Sequence, residues 1–195
     1  LHRAQNTQFE GIEADGRLTD FKKVIAQKTE MVNDLRQGKY IDVVKDMDDF
    51  RQIEGRARIS SPTSIEVSGK IIQGDNILIA TGARPHIPNI KGLIDVPYLD
   101  NESAFELESL PKSIIVLGGR YIALEIAQMF ARLGSKVTVL QRSDRILPTE
   151  AEDLTNELTQ YLENEGLNIV TGNQFQRIYD ENNNIIVEST VNGKL

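Results

Sequence analysis

The hydrophobic positions in the first part of the chain predict one helix followed by three strands. Apolar residues recur at helical spacing over residues 19–37, where Thr19 can cap the start of a helix and Gly38 can end it. This stripe predicts an amphipathic helix that packs its apolar face into a core. Strands are predicted at residues 51–59, 64–67 and 76–80, the last being a short apolar run typical of a buried strand.

The second half of the chain alternates strands and helices. Several prolines in residues 82–111 predict an irregular connector with one short helical turn. The hydrophobic pattern then predicts, in order, strand 114–117, helix 121–133, strand 137–140, helix 150–164, strand 167–170 and a hairpin of strands 174–179 and 185–188. Strands that alternate with helices in this way predict an α/β fold with a doubly wound parallel sheet.

Residues that cap or end helices support these boundaries. Gly134 is expected to end the first of the two later helices and Gly166 the second. Thr149 and Glu152 have the spacing of a capping box at the start of the second helix. The buried face of that helix is expected to comprise Leu154, Leu158, Tyr161 and Leu162. Asparagines at residues 182–184 mark the hairpin turn.

Composition and charge narrow the possible functions. Hydrophobic residues make up 39% and charged residues 26% of the 195 residues, an ordinary globular mixture. The net charge of −7 disfavours nucleic-acid binding, which needs a basic surface. No apolar run approaches the roughly 18 residues that span a bilayer. The chain has no cysteine, which excludes disulfides and cysteine nucleophiles within it, and its two histidines, His2 and His86, make a metal site or a Ser-His-Asp triad an unfavourable interpretation.

Residues 116–125 have the pattern of a dinucleotide-binding turn. They follow a predicted buried strand and open a predicted helix, which is the context this fingerprint requires. Gly118 occupies the first glycine position, which makes the tight turn, and Ala123 occupies the third, where a small residue allows close packing. Arg120 replaces the middle glycine, and its side chain could either add a bond to a phosphate or crowd the pyrophosphate. We favour retained binding because the flanking pattern is intact.

The end of the second strand of this unit bears on which coenzyme binds. An NAD site usually places an acid there to bind the ribose 2′-hydroxyl, whereas an NADP site supplies cations for the 2′-phosphate. The acid position corresponds to Gln141, which is neutral, and Arg142 and Arg145 follow it. The sequence therefore predicts NADPH, although two exposed structural arginines are the alternative interpretation.

Several segments resemble the pyridine nucleotide–disulfide oxidoreductases. Residues 77–92, with Ala-Thr-Gly-Ala-Arg-Pro at 80–85, resemble the junction that leaves the FAD domain of that family. Residues 121–125, followed by 133–139, resemble the opening of its NAD(P)H domain. Within the family the mercuric reductase subfamily is the most similar, at residues 34–40, 130–140 and 141–147. The resemblance covers essentially the whole chain.

This resemblance implies a three-layer, Rossmann-like FAD/NAD(P)-binding fold in two parts. Residues 1–111 would form part of an FAD-binding domain plus a connector, and residues 112–195 an NAD(P)H-binding domain that stops before its last strand. Ala57 would lie against the FAD adenine, and Thr81 and Gly82 would approach the flavin.

The resemblance also implies roles at the NADPH site. Tyr121 would cover the nicotinamide pocket, and Glu125 would orient the nicotinamide amide. From its spacing alone, Glu125 is a solvated residue at the edge of an apolar stripe. The residues expected to bind NADPH are Gly118, Gly119, Arg120, Tyr121, Ile122, Glu125, Gln141, Arg142 and Arg145.

A reaction and its partners follow from the same resemblance. A mercuric reductase passes a hydride from NADPH to FAD, and electrons then pass to a cysteine pair and to Hg(II), giving Hg(0). Because this chain begins at Leu1 without a methionine and contains no cysteine, we expect an internal fragment that is inactive by itself. The implied enzyme is cytoplasmic, contacts neither nucleic acid nor membrane, reduces a small-molecule acceptor such as Hg(II), and forms a homodimer through a domain outside this chain.

Three other interpretations stay open. A dihydrolipoamide dehydrogenase-like or glutathione reductase-like disulfide reductase belongs to the same family, although Gln141 and Arg142 count against the first, NAD-using type. A non-catalytic module that senses NADPH agrees with the absence of cysteine. A domain that binds no nucleotide would follow if Arg120 crowds the pyrophosphate.

Overall fold

The structure is a computed structural model that describes His2, residues 10–11 and 13–14, and residues 16–191. It divides into two compact units. One unit is Lys28–Arg84, and the other comprises the described residues up to Gln27 together with those from Pro85 onward. No helix in the described ranges is both long and apolar enough to cross a bilayer.

Helix α1 (Phe21–Arg36) lies within the predicted range 19–37, but both of its predicted boundaries are wrong. The side chain of Asp20, rather than that of Thr19, accepts the Lys23 N–H at 3.1 Å. The chain continues past Gly38 through a π-helical turn, Gln37–Ile41, and a last α-helical turn, Asp42–Val44.

The apolar stripe of α1 is mostly solvent-exposed, which contradicts the predicted core face. Phe21 is buried and joins a core cluster, and Ile25 packs partly against that cluster. Met31 and Val32 are 57% and 50% exposed. An apolar stripe specifies which face can be buried, but burial requires a partner surface, and only the first turns of α1 contact one among the described residues.

Three short strands form an antiparallel sheet in the unit Lys28–Arg84. They are β1 (Ala57–Ser61), β2 (Ser64–Val67) and β3 (Lys70–Gln73), in the order β1-β2-β3. The predicted strand 64–67 is confirmed, the predicted strand 51–59 begins only at Ala57, and β3 was not predicted. Ser68 and Gly69 both have positive φ, +50° and +79°, and they make the tight turn that joins β2 to β3.

The predicted buried strand at residues 76–80 does not form. Leu78 is 90% exposed and Ile79 is 66% exposed. A buried strand needs hydrogen-bonded neighbours, and no strand in the described part of the chain pairs with this run. The connector that follows is irregular, as predicted, except for the 3₁₀ turns Leu93–Asp95 and Ser103–Glu106.

The alternating second half forms the predicted parallel sheet. Its elements are β4 (Ser113–Leu117), α2 (Tyr121–Leu133), β5 (Lys136–Leu140), α3 (Glu152–Asn164) and β6 (Asn168–Val170). The strands are parallel in the order β4-β5-β6, so the α/β prediction for this region is confirmed. Gly134 ends α2 in the left-handed conformation at φ +111°, and Gly166 follows α3 at φ +92°, as expected.

One face of α2 packs on this sheet and forms the main core. Ala127 and Phe130 of the helix and Val139 of β5 are completely buried, each at 0% exposure. Burying a large aromatic side chain stabilises a fold by about 1.5–3 kcal/mol relative to leaving it exposed. The α2–sheet contact therefore fixes the carboxyl edge of the sheet, where a nucleotide-binding turn must lie.

Helix α3 differs from its prediction in two details. Ala151 precedes the helix and makes no side-chain capping bond, so the predicted capping box is wrong. The buried face contains Thr155 and Leu162, with Leu158 partly buried. Leu154 and Tyr161, predicted as core, are 63% and 60% exposed.

A bidentate ion pair connects α2 to the end of α3. Two nitrogens of the Arg132 guanidinium donate to the two carboxylate oxygens of Glu165, each at 2.7 Å. Gln128 donates to the same carboxylate, and His2 Nε2 lies 3.7 Å from it. The hydrogen bond from Arg132 is the largest cause that lowers the pKa of Glu165 below its ordinary value, against a smaller opposing effect of burial.

A hairpin follows the parallel sheet, as predicted. It consists of β7 (Asn173–Glu181) and β8 (Asn184–Val191). Asn182 and Asn183 both have positive φ, +54° and +62°, which is the turn that asparagine tolerates best among non-glycine residues. Gly92 approaches this hairpin so closely that a Cβ there would lie 2.0 Å from the carbonyl oxygen of Ile178.

Candidate nucleotide-binding site

The predicted fingerprint turn lies between β4 and α2, at the carboxyl edge of the parallel sheet. Gly118 has φ +116°, a backbone conformation that favours glycine, and its N–H donates to the carbonyl of Leu140 at 2.8 Å. A Cβ at Gly118 would have nothing within 4 Å. The turn therefore bends sharply and faces open space, as expected where a ligand approaches the backbone.

Gly119 forms the packed side of the turn. It is buried, its N–H donates to Oε1 of Gln141 at 2.8 Å, and its carbonyl accepts the N–H of Leu147 at 2.8 Å. A Cβ at this position would lie 3.0 Å from Cγ2 of Ile146 and 3.3 Å from the Gln141 stem. Both polar groups of the Gly119 backbone are thus bound by the loop that follows β5.

Arg120 is the residue before α2, and it has extended backbone angles of φ −101° and ψ 175°. Its side chain is exposed and makes no capping hydrogen bond, and the Arg120 carbonyl accepts the first helical bond, from Leu124, at 3.0 Å. The N–H groups of the first helical turn have no intrahelical acceptor. They form, with the positive end of the helix dipole, a site suited to an anion.

Tyr121 begins α2 and is 57% exposed. Its hydroxyl donates to a carboxylate oxygen of Glu150 at 2.5 Å, and Thr149 donates to the same oxygen at 3.3 Å. This hydrogen bond to Glu150 is the largest cause that raises the pKa of Tyr121. The other two predicted contacts on this helix, Ile122 and Glu125, are also exposed beside the turn.

Gln141 follows the last residue of β5 and is buried, at 7% exposure. Its side chain reaches the turn rather than the solvent, through the bond to Gly119. Its carbonyl accepts both the backbone N–H and the side-chain amide of Asn173, at 3.0 and 3.3 Å. Arg142, the next residue, is exposed and makes no side-chain bond or ion pair with the described residues.

Arg145 is partly bound within its own loop. One nitrogen of its guanidinium donates to the carbonyls of Pro148 and Glu150, at 3.0 and 3.4 Å, and another lies 3.9 Å from Glu152. The Nε–H is buried and has no acceptor within the described ranges. The predicted cations therefore differ: Arg142 is available to an added anion, whereas Arg145 supports the loop and retains one unpaired donor.

The three predicted FAD contacts all lie in the unit Lys28–Arg84. Ala57 begins β1 and is exposed, and Thr81 and Gly82 lie in the exposed, irregular segment that follows β3. Gly82 has φ +70° with open space where a Cβ would be. No hydrogen bond joins these residues to one another in the described structure, whereas the predicted NADPH contacts gather at one sheet edge.

Four residues that support the site were not predicted. Ile146 and Leu147 are buried against the turn, Glu150 holds Tyr121, and Asn173 is 1% exposed beside Gln141. A signal existed for the first pair, since two adjacent apolar residues in a polar loop indicate burial. The other two depend on contacts between residues that are 29 and 32 positions apart, which a linear pattern does not encode.

The chain is similar to known proteins over most of its length. The family model described as pyridine nucleotide-disulphide oxidoreductase matches residues 5–194. A mercuric reductase of Staphylococcus aureus is 36% identical over 191 residues, which cover 98% of this chain and 35% of that protein. A dihydrolipoyl dehydrogenase of Mycoplasma genitalium is 33% identical over 188 residues, covering 94% and 40%.

A solved structure extends the likeness to three dimensions. The HOCl-induced flavoprotein disulfide reductase RclA from Escherichia coli superposes with a TM-score of 0.81 at 36% identity, covering 88% of this chain and 40% of that one. The chain therefore spans 35–40% of the length of these relatives.

Proposed function

Because this chain belongs to the pyridine nucleotide-disulphide oxidoreductase family, we propose that it supplies the NADPH site of a longer flavin-dependent oxidoreductase. The family combines a flavin with a pyridine nucleotide. The observation that carries the proposal is the open turn at Gly118, φ +116°, which leads through Gly119 and Arg120 to the start of α2, where no side chain caps the helix. We assign residues 112–195 to the NAD(P)H-binding domain and residues 1–111 to part of the FAD-binding domain and its connector.

The residues around the turn fit a dinucleotide. Open space at Gly118 lets a pyrophosphate approach the backbone, and the N–H groups that begin α2 can donate to its oxygens. The exposed guanidinium of Arg120 stands beside those groups and can add a charge-assisted bond. This favours retained phosphate binding over crowding. NADPH bound here supplies a hydride; the protein's own residues bind and orient it.

Exposed side chains on α2 would position the nicotinamide end. Tyr121 and Ile122 present 57% and 58% of their surfaces to solvent beside the turn, enough to cover a planar ring. Glu125 lies one helical turn beyond Tyr121 and can accept a hydrogen bond from a carboxamide. Glu150 holds the Tyr121 hydroxyl, which limits the directions in which this ring can move.

Preference for NADPH over NADH is assigned mainly to Arg142. It is exposed and has no described partner, so it can bind a 2′-phosphate without breaking a protein contact. Arg145 adds a second positive charge and an unpaired Nε–H. Gln141 leaves the edge of the site uncharged, so a 2′-phosphate meets no carboxylate at that position.

Removing the Arg142 charge tests this preference. In the full-length protein, Arg142→Gln should raise the dissociation constant for NADPH roughly tenfold or more and leave that for NADH within about twofold, because only NADPH loses a charge-assisted bond. Lys136→Gln is the matched control, since it removes one exposed charge from the opposite end of β5. Equal weakening of both coenzymes in Arg142→Gln would contradict the assignment.

Hg(II) is the acceptor that we propose first. A mercuric reductase is among the similar proteins, at 36% identity across almost the whole chain. The overall reaction is NADPH + Hg(II) → NADP⁺ + H⁺ + Hg(0), in which NADPH loses two electrons and the metal gains them. With no cysteine in this chain, thiol chemistry must come from the rest of the protein, and we expect residues 1–195 alone to be inactive.

The remaining partners belong to the same proposal. We place FAD against Ala57, Thr81 and Gly82, whose exposure leaves room for it. We also propose a cytoplasmic homodimer that pairs through a domain outside this chain and contacts neither nucleic acid nor membrane.

The deciding assay is NADPH oxidation by the full-length protein with and without Hg(II), in excess thiol, with NADH run in parallel. Turnover that requires Hg(II) and prefers NADPH would support the proposed reaction. If NADPH is oxidised equally fast without Hg(II), the enzyme uses another electron acceptor.

A disulfide reductase is the second candidate. The observation that favours it is the superposition on RclA, a flavoprotein disulfide reductase, with a TM-score of 0.81. Supplying a low-molecular-weight disulfide in place of Hg(II), in the absence of other thiols, separates the two. Release of two thiols for each NADPH consumed would support this candidate over mercury reduction.

A further inference from the structure

We propose that Gln141 is a positioning residue for the nucleotide-binding turn, which it holds through Gly119, and that it does not itself recognise the group that distinguishes NADPH from NADH. This inference rests on the proposed function and deepens it. It separates two tasks at the end of β5, so that Gln141 shapes a site common to both coenzymes while Arg142 discriminates between them.

The bond between Gln141 and Gly119 is buried at both ends. Gln141 is 7% exposed, and its Oε1 lies 2.8 Å from the Gly119 nitrogen. The bond connects the residue after β5 to the turn after β4, two positions that are 22 residues apart. Leaving a buried N–H without an acceptor is costly, so removal of this oxygen should disturb the turn itself.

Packing places the Gln141 stem directly under the turn. A Cβ on Gly119 would meet the stem at 3.3 Å and Ile146 at 3.0 Å. Asn173 holds the backbone of Gln141 from the other side, through two bonds to its carbonyl. The glutamine is therefore fixed at its backbone and at its amide oxygen, which leaves little freedom for it to turn toward a ribose.

The same bond decides which donors remain for a phosphate. Because the Gly119 N–H is bound by Gln141, it is unavailable to the pyrophosphate. The donors that remain are the N–H groups at the start of α2 and the exposed Arg120 guanidinium. A neutral amide suits this place, since a carboxylate could accept the same bond but would add a negative charge next to Arg142, where we propose that the 2′-phosphate of NADPH binds.

The test measures dissociation constants for NADPH and NADH in the full-length protein, with its flavin first reduced under anaerobic conditions so that neither coenzyme is oxidised, by titrating the fluorescence of each reduced coenzyme. Gln141→Met keeps the length of the side chain and removes the acceptor. It should raise both dissociation constants by the same factor, roughly tenfold, the effect expected for one lost buried acceptor. Gln141→Glu keeps an acceptor oxygen, so NADH binding should stay within about twofold of wild type while NADPH binding weakens more, by charge repulsion.

Several outcomes would overturn the inference. If Gln141→Met weakens NADPH alone, the glutamine recognises the 2′-phosphate directly. If neither constant changes, the bond does not position the turn. Should Gln141→Met fail to fold, Gly119→Ala presses on the same stem and should weaken both coenzymes equally, so an unequal loss in that variant would overturn it instead. A wild-type protein that binds neither coenzyme would refute the proposed function itself, a result distinct from all of these.

Discussion

Two four-residue segments that are wholly or mostly apolar differ in structure and burial in this molecule. Residues 137–140 form most of β5, paired on both sides in the parallel sheet, and Leu140 is 8% exposed. Residues 77–80 form no strand, and Leu78 is 90% exposed. Both runs have strand-like composition, so the difference lies in the neighbours available to each. Strand propensity is largely a measure of how a segment packs against its partners.

The contrast extends to the units that contain these runs. Within residues 28–84, all of which the structure describes, Val67 is the one buried hydrophobic side chain. The unit with the parallel sheet has a continuous core around Phe130 and Val139. Matched substitutions in the two units can therefore measure how much stability each contributes.

The largest difference in the free energy of unfolding is expected between substitutions of Leu140 and Leu78. Leu140→Ala should lower the free energy of unfolding by about 2–5 kcal/mol, because it leaves a cavity at the sheet. Leu78→Ala should change it by no more than about 0.5 kcal/mol, since its side chain is already in solvent. Urea unfolding of the 195-residue chain measures both. A large loss for Leu78→Ala in the full-length protein would show that residues 77–80 gain a partner there.

Two glycines with positive φ give the next largest contrast. Gly92→Ala should cost about 3 kcal/mol, because the new methyl group would combine left-handed strain with a clash against the Ile178 carbonyl. Gly82→Ala has the same strain but open space around it, so about 1 kcal/mol is expected. Thermal unfolding of both variants checks the ranking. Equal losses would mean that the hairpin moves to accommodate the methyl group.

Two of the arginine–glutamate pairs, Arg132–Glu165 and Arg58–Glu66, should differ by less and in a pH-dependent way. Arg132→Gln should cost about 1 kcal/mol at pH 7, a value reduced because the Arg132 side chain is 39% exposed. The pKa of Glu165 is lowered in the folded state. The stabilisation is therefore complete above its unfolded pKa, about 4.3, and is lost as the pH falls through the lower folded value.

The measurement for this pair is urea unfolding at neutral pH and near pH 3. The difference between wild type and Arg132→Gln should shrink at the lower pH. Arg58→Gln is the control, because Arg58 pairs with Glu66 at 77% side-chain exposure and should contribute less than about 0.5 kcal/mol. A pH-independent cost for Arg132→Gln would assign its effect to packing rather than charge.

The smallest effects are expected at the two hairpin turns. Ser68 and Asn182 have similar backbone angles, φ +50° and +54°, but only asparagine tolerates them well. Ser68→Asn should stabilise the chain by roughly 0.5 kcal/mol, and Asn182→Ser should destabilise it by a similar amount. Shifts of the same sign in both melting temperatures would contradict this explanation.

The sequence predicted the fold best where contacts are local or periodic. The boundaries of α2 match the prediction at both ends, because a strong apolar period and a terminal glycine mark them. The face of α3 was only partly predicted. Leu158 and Leu162 fit a stripe either with Leu154 and Tyr161 or with Thr155, and only packing against the core selects the second. The strand predicted at residues 76–80 does not form, because no strand among the described residues pairs with it.

The site was predictable to a similar degree. Gly118 could be placed from its motif, since a tight strand-to-helix turn requires glycine whatever surrounds it. The direction of the Gln141 side chain could not, because it depends on a donor 22 residues away. The partner of Tyr121 was missed for the same reason, since Glu150 is 29 residues away along the chain.

The hydrogen bonds of the turn imply two classes of amide proton within five residues. Those of Gly118 and Gly119 are held by Leu140 and Gln141, so they should exchange slowly with deuterium whether or not a coenzyme is present. Those of Tyr121 and Ile122 have no acceptor in the helix, so they should exchange rapidly in the free protein. Binding of a nucleotide should slow exchange at Tyr121 and Ile122 alone. The exchange rates of Gly118 and Gly119 then serve as an internal reference for the fraction of the protein that has nucleotide bound.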